Sequence, residues 1–116
     1  MKKNIFGIGV DIESVERFRA FKKNDKMLGK IFTPNELNYC FSKKAPARHL
    51  AVRFTAKEAI IKAISSLGKK TLSLNKIEII RNINEVPTVN LKEYNVKISL
   101  SHCEDKAIAF AIVEKN

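Results

Sequence analysis

The chain has 116 residues, 45% hydrophobic and 29% charged, and its 22 Lys and Arg outnumber its 12 Asp and Glu for a net charge of +10. That describes a single folded domain, 1–116, too small to enclose a large ligand and lacking an apolar run near the ~20 residues of a membrane span. The excess of cations implies an anionic partner: nucleic acid, an acidic protein or a phosphorylated small molecule.

Residues 4–12 read as a buried strand, with Ile5, Ile8, Val10 and Ile12 apolar and Gly7 and Gly9 between them. The segment reaches Asp11 too early for a signal peptide. Residues 13–30 read as a basic helix, broken near Asn24-Asp25, with Val15, Phe18, Phe21 and Leu28 apolar and Arg17, Arg19, Lys22, Lys23, Lys26 and Lys30 charged. Thr33-Pro34-Asn35-Glu36 is a helix start: Thr33 caps, Pro34 fits the first turn, and Glu36 reaches back, so a helix is expected over 34–42. The longest helix is expected over 46–67, stopped by Gly68. Strands are expected over 73–81, 95–101 and 107–113, the second showing period-two alternation of Val96, Ile98 and Leu100 with Lys97, Ser99 and Ser101. Cys40 and Cys103 have neither a CxxC nor a zinc spacing, so two free thiols in a reducing cytoplasm are expected. The order of elements gives an α+β fold, a mainly antiparallel sheet packed on one long helix and shorter ones.

Several residues have chemistry to offer, and each has an ordinary alternative. Glu58 shares a helix face with Leu50, Phe54 and Ile61, where a carboxylate needs a cation. Lys62 or a metal ion would serve, but an ordinary Glu-Lys pair worth about 0.3–0.5 kcal/mol also fits. Asp11 ends the first strand, as a site residue or as a helix cap. His102 follows a strand and His49 reads as surface; a lone histidine is more often structural. Arg53, Lys57 and Lys62 surround Glu58 as a phosphate-binding group or as a solvated face. There is no Walker A loop, no third glycine of a dinucleotide fingerprint and no nucleophile elbow. Phe6, Phe18 and Phe21 sit at apolar periodic positions, so core packing accounts for them better than nucleic-acid stacking does.

Together these segments resemble a family. Gly7-Ile8-Gly9-Val10-Asp11-Ile12 with Arg17-Phe18 looks like the opening motif of the holo-acyl-carrier-protein synthases. Arg53-Phe54-Thr55-Ala56-Lys57-Glu58-Ala59-Ile60-Ile61-Lys62-Ala63 resembles their central motif. Ile98 to His102 followed by Ala107 to Ala111 is similar to their closing strand pair. The resemblance covers nearly the whole chain and departs from the family at Ile64-Ser65-Ser66-Leu67-Gly68, where a glycine-rich turn is common.

The resemblance implies the 4′-phosphopantetheinyl transferase fold and a cytoplasmic enzyme of fatty acid biosynthesis. It would move the phosphopantetheine arm of coenzyme A onto a serine of apo acyl carrier protein. It implies Mg2+ on Asp11 and Glu58, with Glu58 taking the serine proton directly or through a metal-bound water and Lys62 at the leaving phosphate. It places Arg53, Lys57, Lys62, Pro87, Ser101 and His102 at coenzyme A, and Arg17, Phe18 and Phe21 at the acidic carrier protein. It also implies a homotrimer with active sites between subunits, and neither nucleic acid nor membrane as partner.

Overall fold

The computed structural model describes residues 6–81 and 86–116. Residues 4 and 5 of the expected first strand lie outside them. The elements run β1 (Phe6–Ser14), a 3-10 turn (Val15–Phe18), α1 (Lys26–Gly29), α2 (Pro34–Phe41), α3 (Pro46–Ser66), a second 3-10 turn (Leu74–Lys76), β2 (Ile79–Arg81), β3 (Pro87–Val89), β4 (Tyr94–His102) and β5 (Lys106–Lys115). β1, β5 and β4 form an antiparallel sheet in that order, and β2 pairs antiparallel with β3.

The alternation of side chains divides this sheet into two faces of different use. Gly7, Gly9, Asp11 and Glu13 point inward with Val113, Ala111, Ala109 and Ala107 opposite them on β5. α3 lies across that face, and its approach is unusually close. A Cβ on Gly9 would stand 2.0 Å from the Ala59 carbonyl oxygen, and one on Gly7 2.0 Å from that of Ala63. The glycines and facing alanines therefore set the distance between helix and strand, the close backbone approach expected of them. Above them, Ile60, Ile64, Ile77 and Val113 form one apolar core, and Phe18, Phe32, Leu50 and Phe54 a second.

Two helix signals hold to the residue. Thr33 Oγ1 accepts from the Glu36 amide at 3.2 Å while Glu36 Oε1 accepts from the Thr33 amide at 2.9 Å, completing the capping box. α3 stops at Gly68, whose φ of +74° suits glycine. The basic helix expected over 13–30 does not form. β1 runs on to Ser14, a single 3-10 turn follows, and α1 is one turn capped by Asp25 on the Met27 amide. Phe18 and Leu28 are buried by contacts with α3 and its neighbours, so tertiary packing and not helical period explains their spacing. The strand expected over 73–81 is shorter, because the Leu74–Lys76 turn occupies its first half. β3, only three residues long and opened by Pro87, was not expected.

Candidate active site

The close contact of α3 with β1 brings Asp11, Glu58 and Lys62 together. Asp11 is next inward after Gly9, and Lys62 lies one helical turn after Glu58. Lys62 Nζ donates to Asp11 Oδ1 and to the Val10 carbonyl, both at 3.0 Å, while its side chain stays 54% exposed. Asp11 Oδ2 is buried and has no hydrogen-bond partner among the described residues. An orphaned carboxylate oxygen in a pocket calls for a cation or a proton donor. Glu58 is held above the ordinary carboxylate range, first by burial and then by the Asp11 charge, with Lys62 and Arg17 opposing. The two carboxylates repel, as they should where a shared cation would relieve both.

Glu13 is a third carboxylate here, and the sequence reading passed over it. It points inward two residues beyond Asp11, and burial followed by Asp11 raises its pKa to about 7. Its Oε1 accepts from Arg17 Nη1 at 2.9 Å, and the Arg17 guanidinium lies 4.7 Å from the Phe54 ring centre. The i+2 alternation of a strand was the signal that placed Glu13 beside Asp11. Ser66 is another such residue. Its hydroxyl accepts from the Ile8 amide at 3.1 Å and donates to the Ala63 carbonyl at 2.7 Å, tying the free edge of β1 to α3 where the family's glycine-rich turn is missing.

A second cluster is basic. Arg48, His49, Arg53 and His102, with Val52, line a small pocket of about 50 Å³. Arg53 is only 3% exposed, its guanidinium lies 4.3 Å from the Tyr39 ring centre, and its Nε is buried without a hydrogen-bond partner among the described residues. His49 is half-buried with its ring against Tyr39, a correction to its surface reading. His102 is exposed on the inward face of β4, in register with Ala107 and so with Glu13, two strand spacings or about 10 Å apart. One chain therefore carries an acidic group and a basic group side by side rather than merged.

Lys57, Phe18 and Ser101, expected at the site, are placed elsewhere. Lys57 does not face a ligand: it is fully buried, its Nζ 2.7 Å from Glu36 Oε1 and bonded to the Leu74 and Ile77 carbonyls. Glu36 also accepts from the Ile79 amide, so one carboxylate ties α2, α3 and β2 together. Phe18, 2% exposed against Phe54, is core and offers no docking surface, while Phe21 is half-buried. Ser101 pairs across to Ile108 and Ile12 on the outward face, opposite to His102. Pro87 is half-buried at the start of β3, on the smaller sheet. Cys40 is buried and Cys103 exposed, both free thiols as expected.

Residues 7–113 match the family model of the 4′-phosphopantetheinyl transferase superfamily. A holo-[acyl-carrier-protein] synthase of Thermodesulfovibrio yellowstonii is 42% identical over 113 residues, 94% of this chain and 98% of that one. The crystal structure of the Neisseria meningitidis holo-[acyl-carrier-protein] synthase superimposes with a TM-score of 0.80 at 33% identity, covering 97% of this chain and all of that one. That of the Bacillus anthracis synthase, in complex with coenzyme A (3′,5′-ADP), gives 0.79 at 29% identity with the same coverage.

Proposed function

The chain belongs to the holo-acyl-carrier-protein synthases of the 4′-phosphopantetheinyl transferase superfamily, and from that membership we propose that it moves 4′-phosphopantetheine from coenzyme A to a serine of apo acyl carrier protein. The carrying observation is the buried, unpartnered Asp11 Oδ2 next to a destabilised Glu58.

Asp11 and Glu58 would hold Mg2+ through hard oxygen donors. When bound, the cation offsets charge on the pyrophosphate under attack. Glu58 accepts the proton of the carrier serine. The serine oxygen bonds to the β-phosphorus, and the bond from that phosphorus to the bridging oxygen breaks. Adenosine 3′,5′-bisphosphate leaves with that oxygen, and the exposed Lys62 ammonium neutralises it. Arg53 and His102, with Arg48 beside them, hold the phosphates of coenzyme A, and Pro87 borders its adenine. Arg17 meets the acidic face of the carrier.

The active protein is a homotrimer. What supports self-association is the outward sheet face, where Phe6, Ile8, Val10 and Ile12 of β1 and Ile108, Phe110 and Ile112 of β5 are 37–60% exposed. Patches of this kind mark protein contacts. Assembly lets the basic group of one subunit complete the acidic group of another. The family resemblance supports a role in fatty acid synthesis in the cytoplasm.

Mass spectrometry of apo acyl carrier protein after incubation with coenzyme A and Mg2+ tests the reading. Wild type should add one phosphopantetheine to the carrier and Glu58→Ala should add none. An unmodified carrier with wild type refutes it.

A further inference from the structure

Glu13 and Arg17 form an ion pair with an unequal share of solvent. The Arg17 side chain is 56% exposed and that of Glu13 17%. Glu13 is fixed by β1, in the inward row that holds Asp11, while Arg17 projects from the short turn after it. The guanidinium also lies within cation–π reach of Phe54 and Phe18, at 4.7 and 5.9 Å from their ring centres. Phe54 precedes Glu58 by one helical turn, so this parks the cation against the wall of the acidic site. Such a pair, half in water, is weak, and a partner offering several carboxylates can displace it.

We propose that Glu13 is a positioning residue that holds Arg17 in reserve on Phe54, and that Arg17 exchanges Glu13 for a carboxylate of the carrier protein when the carrier docks. This rests on the reading of Arg17 as a carrier-docking residue. The exchange sets carrier affinity: each docking event breaks the Glu13–Arg17 pair, so the pair weakens carrier binding by its own strength. It also keeps the cation from meeting other anions while the carrier is absent.

The test is a double-mutant cycle on binding. The ligand is a fluorescently labelled acyl carrier protein with its acceptor serine changed to alanine, so no transfer occurs, and anisotropy reads Kd. Glu13→Gln should bind the carrier about two- to fivefold tighter than wild type, the range of an exposed ion pair. Arg17→Ala should bind more weakly, and the double variant should match Arg17→Ala, because Glu13 acts only through Arg17. Glu13→Asp, which shortens the reach but keeps the charge, should fall between Glu13→Gln and wild type. A merely structural Glu13 would move the melting temperature without moving this affinity. A folded Glu13→Gln that binds no tighter than wild type overturns the proposal, as does a Glu13→Gln effect that persists in the Arg17→Ala background. Wild type that transfers phosphopantetheine and binds the carrier, with no gain in Glu13→Gln, defeats this inference alone. Wild type that does neither defeats the proposed function with it.

Discussion

Burial, reinforced by the neighbouring Asp11 carboxylate, raises both Glu13 and Glu58 above the ordinary carboxylate range. A carboxyl whose folded pKa is raised binds its proton more tightly in the folded state than in the unfolded chain. Stability then falls as pH rises between the two values. For Glu13 that window runs from the ordinary carboxylate value of 4.5 to about 7, and Glu58 adds to it in the same direction. Cation binding needs the ionised forms, so its pH dependence is opposite. Without added metal, the melting temperature should decline from about pH 5 to about pH 7. The gain produced by Mg2+ should grow over the same range, and Glu13→Gln should flatten most of the metal-free slope. Calorimetric scans across pH, with Mg2+ and with a chelator, read both. A Mg2+ gain that shrinks with rising pH contradicts the carboxylate site.

At the scale of elements, the position of α3 on β1 decides the site. Gly9→Ala would drive a methyl into the Ala59 carbonyl, a backbone atom that moves only if the helix moves. We expect a loss of about 3 kcal/mol, the upper range of core overpacking, and a weakened Asp11–Glu58 pair. Gly29→Ala, with nothing within 4 Å of the added carbon, should be neutral or slightly stabilising. Urea denaturation of the two variants makes the comparison, and equal midpoints would contradict the close-contact account.

What the sequence made legible follows from distance along the chain. The capping box spans Thr33 to Glu36 and the α3 stop needs only Gly68, so both could be read locally. The strand alternation from Val96 to Leu100 is local too, and its half-buried pattern is found in β4. Lys57 was misread because its partner, Glu36, comes from another helix, and nothing near Lys57 announces burial. The segment 13–30 was misread because Phe18 and Leu28 answer to the core and not to a helical repeat. The juxtaposition of Asp11 with Glu58 and Lys62 came from family resemblance. Its physical cause, two glycines facing two alanines, needed the fold.

At the scale of the whole molecule, the net charge of +10 and the apolar outward sheet are separate features with separate consequences. Charge speeds encounter with an acidic carrier and should do so less at high salt. The sheet face should govern assembly. Val10, 52% exposed between Ser14 and Phe6 on β1 and paired with Phe110, is the position to test. If the proposed trimer forms through this face, Val10→Asp should leave the fold intact, since the side chain is outside the core, and shift sedimentation from trimer to monomer. Transfer activity should fall with it, because the proposed assembly shares the site between subunits. A variant that sediments like wild type would show that this face is not the contact.

β1 thus carries two messages in one nine-residue stretch, read in alternate letters. Odd positions give the chemistry and helix fit; even positions give the face turned away from them. Substitutions can edit one message without touching the other. A deletion of one residue between Gly7 and Asp11 cannot: it would swap the two frames at once, turning Asp11 outward among the aliphatic side chains and an isoleucine or valine in toward Lys62. The strand should therefore accept drift in composition over long evolutionary time while keeping its length fixed.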